Sequence, residues 1–517
     1  MPKPRTKKKE ICDKSMSFNE CELAILRVAA DKAEERVGKA AVNLPIVKKI
    51  ISIVENFLRK KQLVAYGGTA INSILPKEDQ FYNKDVELPD YDFFSPNALH
   101  DAKELCDIYV KNGFIEVEGK TGMHDGTYKV YINFIPVADI TFIHKEIYTS
   151  IKKDAIKVNG ILYAPPDYLR MSMYLELSRP AGDISRWEKV LKRLTLLNKN
   201  YPIVAQNCTH MDFQRKMGNS ANVDEIYEMV KETLINQGVV FFGGYAMTLY
   251  SMYMPHEEKR KFKKNPDFDV LSEEPQVTAE IVKDRLIGMG IKGVKIILKP
   301  AIGEIVAPHY EIRIGNDAVA FIYEPLACHS YNTIKLKGDT IKIATIDTML
   351  SFFLAFLYAA RDYYDPKRIL CMAQFLFKVQ QENRLKQKGL LKRFSINCYG
   401  HQLTMEESRA RKSEKFIELK DHRDTKEYEY NFLRYRPGDE IIKKQRKAKE
   451  NNDEKSNTTS SNTSSNTSSN NTKKSKYFKK TKKAKKTKNI GLFGFKMNMI
   501  SNPKSKTRKR RRGGLFF

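Results

Sequence analysis

One pattern occurs twice along this chain, about 177 residues apart. Residues 63–72 read LVAYGGTAIN and residues 239–248 read VVFFGGYAMT: a short apolar strand, Gly-Gly, and the start of a helix. PDYDFFS (89–95) follows the first copy and PDFDVLS (266–272) the second. Each copy continues with a helix-like stretch (97–112; 278–288), strand-like segments (128–143; 310–324), a polar hairpin (151–164; 334–346) and apolar helices (166–178; 346–360). Gly-Gly and Asp-x-Asp recur by chance, but a long series in one order does not, so the chain is a duplicated domain. Strand–turn–helix–strand–helix–strands predicts an α/β (α+β) unit, a mixed sheet with helices on one side.

The copies set the boundaries. A basic segment and helical lead-in cover 1–60, the first domain 61–200 and the second 201–385. A further segment covers 386–442 and a low-complexity tail 443–517, which is Lys/Asn/Ser/Thr-rich and expected to be disordered. The formal net charge is +29, and the tail holds 24 Lys/Arg against 3 Asp/Glu, leaving +8 for the first 442 residues. Such a tail suits a polyanionic partner, nucleic acid first, or simply solubilises the chain.

Seven scattered cysteines and nine histidines show no metal-ligand spacing, which suggests a soluble protein of a reducing compartment. Residues 1–10 are basic without an apolar core, unlike a secretory signal, and no stretch is apolar enough to span a bilayer, so no membrane partner is expected.

Asp90 and Asp92 fall two apart on a predicted strand, so both carboxylates point to one face while Tyr91 and Phe93 face the core. Two like charges side by side call for a cation. Mg²⁺ takes carboxylate oxygens together with substrate phosphates, and a pair of such ions can activate a hydroxyl and stabilise leaving pyrophosphate. Asp139, inside the apolar run IPVADITFI, is the natural third ligand, since a charge there needs a partner or a metal. Glu116 and Glu118 are alternatives in a more exposed setting. Gly67 and Gly68 lack Cβ atoms and let a phosphate approach the helix N-terminus beyond them. Thr69 and Asn72, on the first turn, could reach phosphate or metal. Ser178, Arg179, Arg186, Lys189, Lys192 and Arg193 follow on later helices, and one or more could hold phosphate. Arg179 and Lys189 are the candidates taken forward. Trp187 reads as core.

The second copy keeps Gly243, Gly244, Asp267 and Asp269. Aligning VADITFI with VAFIYEP puts Phe321 at the place of Asp139; Glu324 has the wrong parity, and Asp317 lies by a Gly-Asn turn. The second copy is therefore expected to be degenerate, a structural or RNA-binding module.

Hydrophobic-Gly-Gly, Asp-x-Asp and a later Asp resemble the DNA polymerase β-like nucleotidyltransferase superfamily. AYGGTAIN, PDYDFFS, VADITFI and a second copy with FFGGYAM and NPDFDVLS resemble the poly(A) polymerase catalytic subunits of nucleocytoplasmic large DNA viruses, above all the mimivirus-like branch. The resemblance covers roughly 20–440. It implies tandem nucleotidyltransferase domains, the first active and the second degenerate. It further implies two Mg²⁺ or Mn²⁺ ions on Asp90, Asp92 and Asp139, with Gly67 and Gly68 at the ATP triphosphate. The implied reaction is template-independent transfer of AMP from ATP to an RNA 3′ end. Members of this branch are expected to be homodimers that act on mRNA in the virion and host cytoplasm. Base choice stays open in the residues: a terminal uridylyltransferase or an oligonucleotide second-messenger synthase would share the carboxylates, and an RNA-binding scaffold would leave them idle. The 386–442 segment, basic with interleaved aromatics, suits single-stranded RNA or a second subunit equally.

Overall fold

The computed structural model describes residues 11–439, apart from 13–14, 84, 209–221 and 257–264; the expected 443–517 tail lies outside the described residues. Sixteen strands are described. The first copy contains β1 (Val64–Tyr66), β2 (Tyr91–Ser95), β3 (Val117–Thr121), β4 (Thr127–Ile132), β5 (Ile135–Phe142), β6 (Ile156–Val158) and β7 (Ile161–Tyr163). The second contains β8 (Val240–Phe242), β9 (Phe268–Leu271), β10 (Val294–Lys299), β11 (His309–Ile314), β12 (Asp317–Tyr323), β13 (His329–Leu336) and β14 (Asp339–Ala344). Two short strands follow, β15 (Cys398–Tyr399) and β16 (Arg434–Tyr435).

The sheets run β16-β3-β4-β5-β2-β1-β7-β6 and β10-β11-β12-β9-β8-β14-β13-β15. Without β15 and β16, the two orders are the same, strand for strand. The directions also agree, since β2–β5 and β1–β7 are parallel, as are β9–β12 and β8–β14. The duplication read from the sequence is thus present in the topology. One difference lies after the fifth strand: helix Lys145–Lys153 separates β5 from β6, and no helix separates β12 from β13.

Alternation on β2 works as its sequence predicts, with Tyr91 and Phe93 buried and Phe93 meeting Phe57 of helix Pro45–Lys61. Helix Ile346–Phe356 is buried along its whole length and packs against helix Pro166–Leu177 of the first copy. Each fully buried Leu or Phe there contributes roughly 1.5–3 kcal/mol, so the copies share one continuous core. The lead-in forms helices Phe18–Val42 and Pro45–Lys61, the first capped by a Ser17–Glu20 box and free of buried residues.

The segment after the second copy touches both sheets. β15 joins β13 and β16 joins β3. Its aromatic side chains are spent on packing: Phe416, Tyr428 and Phe432 form one cluster, and the Tyr435 hydroxyl donates to Asp107 at 2.7 Å.

The cysteines correct the sequence reading. Six form disulfides, Cys12–Cys21, Cys208–Cys371 and Cys328–Cys398, and Cys106 is buried and free. Two of the bridges join positions 163 and 70 residues apart, a proximity that only the tertiary fold creates.

Candidate active site

On one face of the first sheet, Asp92 of β2 pairs in register with Asp139 of β5. On β2's other side Asp92 pairs with Tyr66, the last residue before Gly67. Asp90 lies two residues before Asp92, just ahead of the strand, where its carbonyl accepts the Thr69 hydroxyl at 2.7 Å. All of these line a cleft of about 650 Å³.

Gly67 has φ +73°, and a Cβ there would come within 2.5 Å of Asp92 Oδ2. Gly243, φ +65°, stands in the same relation to Asp269. The first glycine of each pair therefore serves two demands, a left-handed turn into the helix and clearance for the aspartate on the next strand. The second has another reason. A Cβ on Gly68 would meet Tyr82 Oη at 2.7 Å and both Arg193 terminal nitrogens at 3.0 Å, so a hydroxyl and a guanidinium already sit over the helix N-terminus.

The opposite wall is cationic. Arg186, Lys189 and Arg193, spaced i, i+3, i+7 at the start of helix Trp187–Asn200, line the cleft, while Val190, Leu194 and Leu197 anchor the helix in the core. Arg193 donates to Tyr82 Oη and lies 5.0 Å from the Phe81 ring centre. Arg186 pairs with Glu176 at 3.1 Å. Arg193, then burial, then Arg186 hold the Lys189 ammonium below its ordinary pKa, the effect of crowded cations.

The carboxylates show the reverse crowding. Burial first, then Asp90 and Asp139, push Asp92 up to about 7, and burial and Asp139 raise Asp90. Asp139 accepts the Lys129 ammonium on Oδ2, and its buried Oδ1 has no hydrogen-bond partner. Three hard oxygen donors, an excess of negative charge and an unfilled acceptor fit a divalent ion such as Mg²⁺ or Mn²⁺.

Two predicted residues do not reach the cleft. Asn72 is buried, and its Oδ1 accepts from the backbone nitrogens of Phe81 and Tyr82 at 2.7 and 2.8 Å; the amide pins the loop that carries Tyr82. Arg179 lies outside the cleft lining, its pKa lowered to about 10 by burial, beside the buried His329 of the second copy. The helix ends at Leu177, and of the later cations Arg186, Lys189 and Arg193 line the cleft. Ser178 is buried, and Lys192 is paired with Glu188. Glu118 is engaged by Arg434 and Arg436 at the sheet edge, and neither Glu116 nor Glu118 lines the cleft. Trp187 is half-buried, its indole nitrogen donating to the Glu176 carbonyl. Sequence reasoning missed Lys129, Tyr82, Met123 and His124, which also line the cleft. Lys129 was within reach, since strand parity on β4 places it opposite Asp139. Tyr82 had no signal in its loop.

In the second copy, Phe321 pairs with Asp269 as Asp139 pairs with Asp92. Phe321 is buried, and Asp317 and Glu324 are exposed.

The first copy thus combines a mixed sheet, Gly-Gly at its first helix and aspartates at and beside the neighbouring strands that line one cleft. Residues 52–183 match the family described as "Poly(A) polymerase catalytic subunit". A protein of Acanthamoeba polyphaga mimivirus, named "Putative poly(A) polymerase catalytic subunit", is 28% identical over 228 residues, 41% of this chain and 36% of the relative. One of the same name from African swine fever virus (strain Badajoz 1971 Vero-adapted) is 34% identical over 171 residues, 32% of this chain and 36% of the relative. The chain thus spans 36% of the length of these curated relatives. The crystal structure of the Megavirus polyadenylate synthase shares the fold, with a TM-score of 0.70 at 20% identity, over 87% of this chain and 92% of that one. No helix among the described residues is long and apolar enough to cross a membrane.

Proposed function

We propose that this chain is a template-independent polynucleotide adenylyltransferase, transferring AMP from ATP to the 3′-hydroxyl of RNA. The observation that carries it is the Asp92–Asp139 pair across β2 and β5, set beside Gly67 and Gly68 and facing a cationic wall. Asp90, Asp92 and Asp139 would hold two Mg²⁺ or Mn²⁺ ions, which supply Lewis-acid stabilisation of the attacking and leaving oxygens when bound. The helix N-terminus at Gly68, with Arg193, Lys189 and Arg186, takes the triphosphate. That leaves the Asp139 side of the cleft, lined by Met123, His124 and Thr127, for the RNA end. The RNA 3′ oxygen attacks the α-phosphorus, the bond to the β-phosphate oxygen breaks, pyrophosphate leaves, and the hydroxyl proton passes to solvent.

The second copy, with Phe321 in place of the third aspartate, serves as a structural or RNA-binding module. The family reading makes the active unit a homodimer acting on viral mRNA in the virion and host cytoplasm, and light scattering tests the first of these. The reaction is tested by extending a labelled single-stranded RNA with each nucleoside triphosphate in turn, without template. Long products with ATP alone are expected; extension with UTP would reassign the base, and none with any nucleotide would leave an RNA-binding scaffold.

A further inference from the structure

Lys129 lines the cleft, and the reaction proposed above gives it no task. It stands directly across from Asp139 in the β4–β5 register, and its ammonium pairs with Asp139 Oδ2. Oδ1 of the same carboxylate is buried and has no hydrogen-bond partner. Asp139 is therefore half satisfied. One oxygen holds a monovalent side-chain cation, and the other is left for something else.

A purely structural ion pair does not account for this. The Lys129 side chain is 34% exposed, and pairs so open to solvent add little to stability. β4 is already held by its ladders to β3 and β5. The second copy supplies the comparison. There, Phe321 takes the register place of Asp139, and its partner across β11 is Glu311. Where the third aspartate is lost, the lysine is lost with it, and Glu311 pairs instead with Lys299 and Arg313. The lysine thus goes with the carboxylate trio.

On the reading of Asp90, Asp92 and Asp139 as the metal site, we propose that Lys129 is its resident counter-ion, which keeps free divalent metal off Asp139 until nucleotide arrives. A free metal ion that binds Asp139 meets the ammonium held on Oδ2, and either bears its repulsion or displaces it with no anion to receive it. A metal ion that enters with a triphosphate brings phosphate oxygens that can receive the displaced ammonium, and the flexible four-carbon stem of lysine permits the swing. The site then loads metal and nucleotide together.

The test uses the full-length protein with Mn²⁺ as the probe, its free concentration followed by electron paramagnetic resonance without nucleotide. Lys129→Met should bind Mn²⁺ about fivefold more tightly than the parent, the upper end of what a partly exposed ion pair contributes. Lys129→Arg, which keeps the charge, should stay within about twofold of the parent. The Met variant's advantage should shrink when a non-hydrolysable ATP analogue is present. Equal or weaker Mn²⁺ binding by a folded Lys129→Met protein overturns the proposal, and Lys129→Gln is read against the same thresholds if the Met variant does not fold. Asp139→Asn separates the two layers of the argument. If it leaves Mn²⁺ binding unchanged in the parent, the carboxylate reading falls, and the role of Lys129 falls with it.

Discussion

Phe321 occupies in the second sheet the register position that Asp139 occupies in the first, each directly across from the second aspartate of its Asp-x-Asp pair. A phenyl ring cannot bind a cation through oxygen, and the function proposed above therefore assigns the chemistry to the first copy. Asp92→Ala should lower RNA extension by roughly 10²–10³-fold or more while RNA affinity in a gel-shift assay holds. Asp269→Ala should leave the extension rate within about twofold, as expected of a substitution that removes no transition-state contact. A large loss of turnover in Asp269→Ala would mean that the second copy takes part in catalysis.

Gly67→Ala should cost about 1–3 kcal/mol, because its φ of +73° disfavours an L side chain and the new Cβ would press on Asp92 Oδ2. Chemical denaturation measures the stability, and extension should fall with it, since the Asp92 carboxylate must move. Gly113→Ala, with a positive φ but open space around it, separates backbone strain from the clash: it should lose stability alone.

Arg193→Ala should raise the KM for ATP by about tenfold or more, the worth of a hydrogen bond to a charged group. Arg179→Ala should leave that KM unchanged and instead lower the melting temperature, because Arg179 lies at the buried boundary between the copies. Steady-state kinetics in ATP distinguish the two, and the reverse result would restore Arg179 to the nucleotide site.

These two arginines show how far the sequence could be read. Period-two alternation put Asp90 and Asp92 on one face, and a lone charge inside the apolar run IPVADITFI pointed to Asp139; all three line the same cleft. Phe321 followed from aligning VADITFI with VAFIYEP once the duplication was recognised. Arg179 was misplaced because the helix stops at Leu177, and where a helix stops decides which later residues share its face. Asn72 sits on the helix that carries the glycines, yet its amide is consumed by two backbone N–H groups of a loop, a partner no local pattern announces.

Asp92 gives the proposed metal site a pH signature. Its folded pKa of about 7 lies above its ordinary value of 3.8, so the folded metal-free protein binds a proton more readily than the unfolded chain. Stability from this group is present at low pH and is lost as pH rises from about 4 through 7. A divalent ion competes with that proton. The rise in melting temperature on adding Mg²⁺ should be larger at pH 8 than at pH 5.5, and Asp92→Asn should flatten the difference. An increment independent of pH in the parent would remove Asp92 from the ligand set.

Removing residues 443–517 takes away a net charge of +21, from 24 basic and 3 acidic residues. RNA affinity should fall most at low salt, and the slope of log affinity against log salt should become shallower. An unchanged slope would show that the tail does not contact RNA.

β16 completes the edge of the first sheet with residues 434–435, pairing with β3 at 119–120, while β15 covers the edge of the second. A ribosome making this chain must pass more than three hundred residues beyond β3 before the strand that closes that edge exists. The first sheet emerges early with a bare row of backbone donors and acceptors, the kind of edge that recruits stray strands, and the body takes its final form only when the end of the second half has been made.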